Sequence, residues 1–171
     1  MIANHLDVEA NGIVLLDEGI LHETLGWTPT QGESRDLLHE FFTSDLGDEV
    51  VNRGAVVPLL SIDDGTYEVI CRLSSEASPV DDLVIVTNGA FPLKVKTSAA
   101  FYDLDTMIAW PPTESPVSTD LAPGHYAVTV RGFREVKNER IVRAGYEFVC
   151  EPTPALAKPT GRIDAYMRVF F

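Results

Sequence analysis

Residues 126–151 read YAVTVRGFREVKNERIVRAGYEFVCE, two strand-favouring segments joined by the polar stretch 137–140. In the second segment Tyr146, Phe148 and Cys150 alternate with charged or less bulky residues. Successive side chains of a strand point to opposite faces, so this pattern indicates a strand with one buried face. The stretch therefore predicts a β-hairpin that carries Cys150 on its core-facing side.

Three dipeptides elsewhere in the chain carry the turn chemistry of tight hairpins. Type I′ turns need residues that tolerate positive φ, and Asn-Gly and Asp-Gly pairs do so. Each dipeptide separates two strand-favouring segments: Asn11-Gly12 lies between 5–10 and 13–16, Asp64-Gly65 between 55–62 and 66–73, and Asn88-Gly89 between 83–87 and 90–97. We expect a hairpin at each, with Cys71 on the apolar face of the strand after the second.

One helix and one further strand are indicated by periodicity. An apolar stripe at helical spacing predicts a short helix with Ser34 as its cap and Gly47 as its stop. The stripe consists of Leu37, Leu38, Phe41 and Phe42. Residues 163–171 alternate between apolar and polar side chains, which predicts a half-buried closing strand.

Regularly spaced hairpins without alternating helices favour a mainly β fold, a two-layer antiparallel β-sandwich of about eight to ten strands with one short helix. An open β-barrel is the alternative. The length of 171 residues suits one domain, so residues 1–171 are predicted to form a single β-rich domain. A hydrophobic content of 45% is too high for a disordered chain.

Compartment and redox state follow from the amino terminus and the cysteines. The first residues lack the basic start and apolar run of a secretion signal, and no apolar stretch approaches the ~20 residues that span a bilayer. The predicted location is the cytoplasm. Cys71 and Cys150 are too few for a disulfide scaffold, and we expect them to be free, buried thiols.

The net charge of −13 is distributed unevenly along the chain. Residues 1–82 carry 17 acidic and 3 basic side chains, whereas residues 83–171 carry 9 and 10. Nucleic acids and anionic membranes require a dominant basic surface, so neither is expected as a partner. The asymmetry favours a basic protein as the partner, or serves solubility alone.

Catalytic and cofactor motifs are largely excluded by spacing. The four histidines have no spacing that would place two on one helix or strand face, and no glycine-rich phosphate loop occurs, so no metal or cofactor is predicted. The paired carboxylates of Asp103 and Asp105 lack the regular acidic series and glycine of a calcium loop. We expect them, like the Asp63-Asp64 pair, to have local turn roles. No catalytic residue is assigned, and the protein is predicted not to be an enzyme.

A cluster of carboxylates in and after the predicted helix is the candidate partner-binding surface. It consists of Asp36, Glu40, Asp45, Asp48 and Glu49. A carboxylate surface can compete for the phosphate-binding cleft of a nuclease, and long-range attraction raises the rate of association with a basic partner. The sequence predicts salt-sensitive binding to a basic protein at this surface.

Two segments carry a family resemblance. Residues 63–69, DDGTYEV, and 123–130, PGHYAVTV, each place a turn before a G-x-Y-x-V strand. They resemble the corresponding pieces of the bacterial immunity-like β-sandwich proteins, a group that includes nuclease inhibitors. The resemblance implies a β-sandwich fold and a non-enzymatic protein-binding role, with a basic nuclease or toxin as the partner. It covers two hairpins and transfers no inhibitory residue.

Two alternative functions remain open. Trp27, Tyr102 and Trp110, with the proline-rich stretch after Trp110, would suit a small-ligand or carbohydrate-binding site if their rings were exposed. A structural or oligomeric role would follow if the acidic first half of one copy met a basic hairpin of another. That hairpin carries Arg131, Arg134, Lys137, Arg140 and Arg143.

Overall fold

The computed structural model describes residues 1–170, and within them nine strands form two packed sheets. One sheet has five strands and the other has four. Neither sheet closes into a barrel in this part of the chain, so the predicted β-sandwich is confirmed. The strands are β1 (Ile2–Val8), β2 (Gly12–Leu16), β3 (Val57–Leu60), β4 (Gly65–Leu73), β5 (Val84–Val95), β6 (Ala100–Asp103), β7 (Val117–Ser118), β8 (Gly124–Lys137) and β9 (Arg140–Thr153). The five-stranded sheet has the order β1-β4-β9-β8-β5, and the four-stranded sheet has the order β3-β2-β6-β7.

The long hairpin of β8 and β9 is confirmed and forms the centre of the five-stranded sheet. The two strands pair from His125 with Thr153 to Lys137 with Arg140. Asn138 and Glu139 make the turn with φ values of 50° and 62°. This two-residue connection with both φ values positive is the I′ geometry that matches the twist of paired strands.

The hairpins predicted at Asn11-Gly12 and Asp64-Gly65 are wrong, because each turn passes from one sheet to the other. β1 pairs with β4, whereas β2, which follows Asn11, pairs with β3 and β6. The two crossings lie side by side. Oδ1 of Asp64 accepts a hydrogen bond from the backbone N–H of Asn11 at 2.8 Å, and the Asn11 side chain donates to the carbonyl of Ile62 at 2.9 Å.

The predicted hairpin at Asn88-Gly89 is also wrong, since β5 runs through it as one strand. Its register against β8 shifts between Asn88 and Phe91, which marks an irregularity in the ladder. At Gly89, φ is 155° and a Cβ would lie 2.7 Å from Cα of Thr129. Close approach of the neighbouring strand therefore requires glycine here.

One strand pair corrects the expectation of a fully antiparallel sandwich. β4 and β9 run parallel, with Cys71 opposite Phe148 and Leu73 opposite Cys150. Both cysteines are buried free thiols, as predicted, and their Sγ atoms lie 3.9 Å apart in the core between the sheets. Hydrogen-bond geometry differs between parallel and antiparallel strand pairs, but both arrangements give the backbone N–H and C=O groups their hydrogen-bond partners.

Three α-helices lie in the described chain where one was predicted: α1 (Glu18–Leu25), α2 (Leu37–Thr43) and α3 (Leu46–Asn52). α2 is the predicted helix, but its cap is Asp36, whose side chain accepts from the backbone N–H of His39. Gly47 does not stop a helix, because it lies inside α3. The helices cover the outer face of the four-stranded sheet and enclose a second apolar core around Trp110. Two short 3₁₀ helices, Asp81–Leu83 and Leu104–Ala109, complete the fold.

The predicted closing strand at 163–171 is wrong for the described residues 163–170, which form irregular structure; Phe171 lies outside them. The alternation reflects burial alone, since Met167 and Val169 pack into the core between the sheets. Their carbonyls accept side-chain hydrogen bonds, from the Tyr146 hydroxyl at 2.8 Å and from Arg134 at 3.1 Å, in place of a strand partner.

Among the described residues, no helix has the length and apolar character that a membrane span requires.

Candidate functional site

A cleft of about 660 Å³ opens where the edge of the five-stranded sheet approaches the edge of the four-stranded one. Residues of β1, β6, the second 3₁₀ helix and the proline-rich stretch 112–117 line it. No lysine or arginine of the described chain lines this cleft. Its charged lining consists of Asp7, Glu9, Asp103, Asp105 and Glu114, with His5 at one side. We call these five acidic residues and His5 the acidic cleft.

Asp103 organises the acidic cleft from the end of β6. Its Oδ2 accepts the backbone N–H of Glu9 at 3.0 Å, and its Oδ1 accepts the backbone N–H of Asp105 at 3.4 Å. The first bond fixes the chain just after β1, and the second caps the 3₁₀ helix that follows. As a result, one carboxylate oxygen each of Glu9, Asp103 and Asp105 lies within 4.8 Å of the other two.

The electrostatics of this cluster favour an incoming cationic group. Burial raises the pKa of the Asp103 carboxyl, while the backbone N–H donors of Glu9 and Asp105 oppose the rise. The negative charge of Asp105 raises the same pKa further. Three carboxylates could hold a divalent cation, but they supply only part of the six to eight oxygens that Ca²⁺ takes. A guanidinium or ammonium group would relieve the repulsion without that requirement.

The structure places the predicted surface on α2, α3 and the turn between them, where three of its five carboxylates already have partners. Asp36 caps α2. Glu40 accepts two hydrogen bonds from Arg35, at 2.6 and 2.7 Å, and these bonds lower the pKa of its carboxyl. Glu49 pairs with Arg53 at 3.1 Å. Asp45 and Asp48 are exposed, and within the described chain neither carboxylate forms an ion pair.

The three residues of the ligand-binding alternative come together, but in the second core. Trp110 is fully buried and Tyr102 is 5% exposed, with their rings 5.4 Å apart in an edge-to-face contact. Trp27 is half-buried under the guanidinium of Arg35, 5.1 Å from its ring centre. The rings of Tyr102 and Trp110 therefore present no exposed face on which a sugar could stack.

The basic hairpin is largely neutralised by the protein itself. Arg143 makes two bonds of 2.6 Å to Glu68, and Lys137 pairs with Glu135 at 2.7 Å. Arg131 reaches Asp81 and also lies 3.3 Å from Oε2 of the buried Glu147. Of the five cations, Arg140 alone has no ion pair or hydrogen-bonded carbonyl within the described residues. A complementary surface for the acidic half of a second copy is therefore small.

The acidic cleft was only partly visible in the sequence. The sequence shows Asp103 and Asp105 as a pair, but its pattern predicts turn roles alone for them. Glu9 joins them through a contact between distant parts of the chain, which no local spacing records, whereas Glu114 lies in the loop that follows them. The available signal was the pair itself, followed closely by a long proline-rich loop.

Comparison with known proteins identifies similar folds. No protein-family model and no curated protein sequence matches the chain. Two solved structures match: ComJ of Bacillus subtilis, an inhibitor of the DNA-degrading activity of NucA, is 12% identical with a TM-score of 0.51, over 90% of this chain and 96% of that one. The product of crocagin biosynthetic gene J is 14% identical with a TM-score of 0.50, over 89% and 99% of the two chains. At these identities the likeness shows the fold alone, and in that sense the predicted resemblance to nuclease-inhibitor β-sandwich proteins is confirmed.

Proposed function

We propose that this protein is a non-enzymatic binding module that neutralises a basic protein of the nuclease or toxin class, as an immunity-type inhibitor in the cytoplasm. The acidic cleft is its principal docking surface. The observation that carries the proposal is the convergence of five carboxylates in a concave site that no lysine or arginine of the described chain lines. Concave, single-sign surfaces focus the field and attract partners of opposite charge.

The chemistry of the cleft suits a nuclease in particular. A nuclease holds phosphates with arginine and lysine side chains, and carboxylates can replace those phosphates as charge-assisted partners. Occupying the phosphate-binding groups of an enzyme blocks its substrate. The likeness to ComJ supports this direction, because that protein inhibits a DNA-degrading activity. Asp45 and Asp48 add exposed negative charge on α3 and the turn that precedes it.

The proposal is tested by recovering the partner and assaying it. The protein is immobilised and exposed to lysate of the cells that produce it, at low and at high salt, and the retained proteins are identified by mass spectrometry. We expect a basic protein that is retained at low salt and released at high salt, since screening weakens exposed charge pairs. The purified partner should degrade DNA or inhibit growth, and this activity should fall to zero at a stoichiometric ratio. Retention of no basic protein, or unchanged partner activity at saturation, would contradict the proposal.

A further inference from the structure

A second concavity, which we call the apolar groove, lies on the helical side of the molecule. It has a volume of about 280 Å³ and lies between α2, α3 and the outer face of the four-stranded sheet. Phe42, at its rim, leaves 64% of its surface exposed. The groove is walled chiefly by Val14, Leu38, Phe41, Val50, Pro58 and Leu60.

Carboxylates lie in and next to the lining of this groove. Asp48 lines it directly, and Asp45 lies in the turn that leads into α3. Leu104 also lines the groove, and its chain neighbours Asp103 and Asp105 line the acidic cleft. The groove and the cleft therefore meet along the turn at residues 103–105. No lysine or arginine of the described residues lines the groove.

We propose that the apolar groove receives an apolar side chain of the same basic partner, from a segment in which lysines or arginines flank that side chain. This inference rests on the proposed function and adds the chemistry that the partner must present. An apolar anchor inside a polar rim is the arrangement that concentrates binding energy in protein interfaces. Here the rim is acidic, so the residues around the anchor are basic.

The framing charges argue against two other occupants. An acidic segment would bring its carboxylates next to Asp45 and Asp48, which like-charge repulsion disfavours. A second copy of this chain carries a net charge of −13, and its basic hairpin is largely paired internally. A basic and apolar partner satisfies both the groove and its rim.

Two synthetic peptides of equal charge serve as probes, labelled with fluorescein and measured by fluorescence anisotropy. One has six lysines around a central Leu-Phe pair, and the other has Ser-Ser in its place. We expect the Leu-Phe peptide to bind the wild-type protein about tenfold or more tightly than the Ser-Ser peptide. The reason is that one apolar side chain of the Leu-Phe peptide moves from water into the groove. Phe42→Ser should reduce that preference, whereas Ile85→Ser, which removes an apolar side chain 49% exposed on β5, should leave it unchanged.

The outcomes separate the groove from the proposed function. Equal affinity for the two peptides, with salt-sensitive binding retained, overturns the groove and leaves the acidic cleft intact. Unchanged preference in Phe42→Ser also overturns it, provided that circular dichroism shows the variant to be folded. Binding of both peptides that does not depend on salt would contradict the proposed function itself, since the cleft acts through charge.

Discussion

The indole Nε1 of Trp110 donates a hydrogen bond of 2.8 Å to Nε2 of His22. This bond ties α1 to the residue that follows the second 3₁₀ helix, across the second core. The nitrogen that accepts it must be unprotonated, because an N–H group cannot accept. Burial lowers the pKa of His22, so the folded protein holds this imidazole in its neutral form more firmly than the unfolded chain does.

The first prediction is a loss of stability on acidification that depends on His22. Its folded pKa lies below the ordinary value of 6.5, so below about that pH the unfolded chain takes up a proton that the folded protein resists. The free energy of unfolding should therefore fall as the pH drops through and below this value. His22→Gln, which can still accept from Trp110, should show a smaller fall between pH 7.5 and 5.5.

Urea denaturation across that pH range measures the effect. The carboxyls whose pKa is lowered by an ion pair or hydrogen bond, such as those of Glu40 and Glu68, titrate below their ordinary value of 4.5, outside this window. Other groups contribute equally to both proteins and cancel in the difference. The same slope in wild type and variant would show that His22 is not the responsible group.

The second prediction concerns the buried carboxylate of Glu147, which is fully buried on the outer side of the five-stranded sheet. Its Oε1 accepts from Nε of Arg72 at 2.7 Å and from the Ser78 hydroxyl at 2.6 Å. Glu147→Gln would leave the buried guanidinium group of Arg72 without its counter-ion, and this loss should lower the free energy of unfolding by about 3–5 kcal/mol. Denaturant unfolding measures the loss.

An exposed ion pair is the matched control for this substitution. Asp164 and Arg162 are bonded at 3.2 Å, but both side chains are largely in water. Asp164→Asn should change the stability little, because solvent screens such pairs. A similarly small effect of Glu147→Gln would mean that the buried network does not contribute as the geometry implies.

The third prediction is that the two cysteines are unreactive in the folded protein. Their Sγ atoms are 3.9 Å apart and both residues are fully buried. The contact with Cys71, together with burial, raises the pKa of the Cys150 thiol, and the thiolate is the reactive form. An aromatic disulfide reagent at pH 8 should label neither thiol until denaturant is added. Rapid labelling of either one without denaturant would contradict the packing between β4 and β9.

The fourth prediction is that self-association does not depend on salt. Arg143, Lys137 and Arg131 of the basic hairpin are engaged within the chain, so little basic surface remains for the acidic half of another copy. Sedimentation velocity at low and high salt should give the same species. A larger species that dissociates at high salt would support the oligomeric alternative instead.

The features of the fold that sequence predicted were local ones. Alternation located β8 and β9 and the inward direction of Cys71 and Cys150, because the side-chain period of a strand is a property of the strand alone. Asn11 does adopt a positive φ of 56°, as its turn chemistry predicts, yet the turn joins two sheets. Turn residues specify a change of direction and not the strand with which the chain pairs next. The parallel pairing of β4 with β9 also depends on contacts between distant segments, so local sequence does not predict it.

The candidate site also has features that the local sequence predicts and features that it does not. Asp45 and Asp48 were predicted as binding residues from their place near a helix, and the structure leaves them exposed without ion pairs in the described chain. Their predicted role stays a proposal. Glu40 and Glu49 are paired with Arg35 and Arg53, which sequence spacing did not reveal. The single-domain organisation of the chain likewise remains a prediction.

The most direct test of the central claim compares two triple charge reversals against the basic protein recovered from lysate. In the cleft variant Glu9, Asp105 and Glu114 become lysine; in the control, the exposed Asp82, Glu139 and Glu151 do, so that the net charge changes equally. Affinity is measured by calorimetry at low and high salt. We predict that the cleft variant binds about tenfold or more weakly than wild type at low salt, while the control stays close to wild type. Equal weakening by both variants would show that net charge and not the acidic cleft governs binding, and would contradict the account.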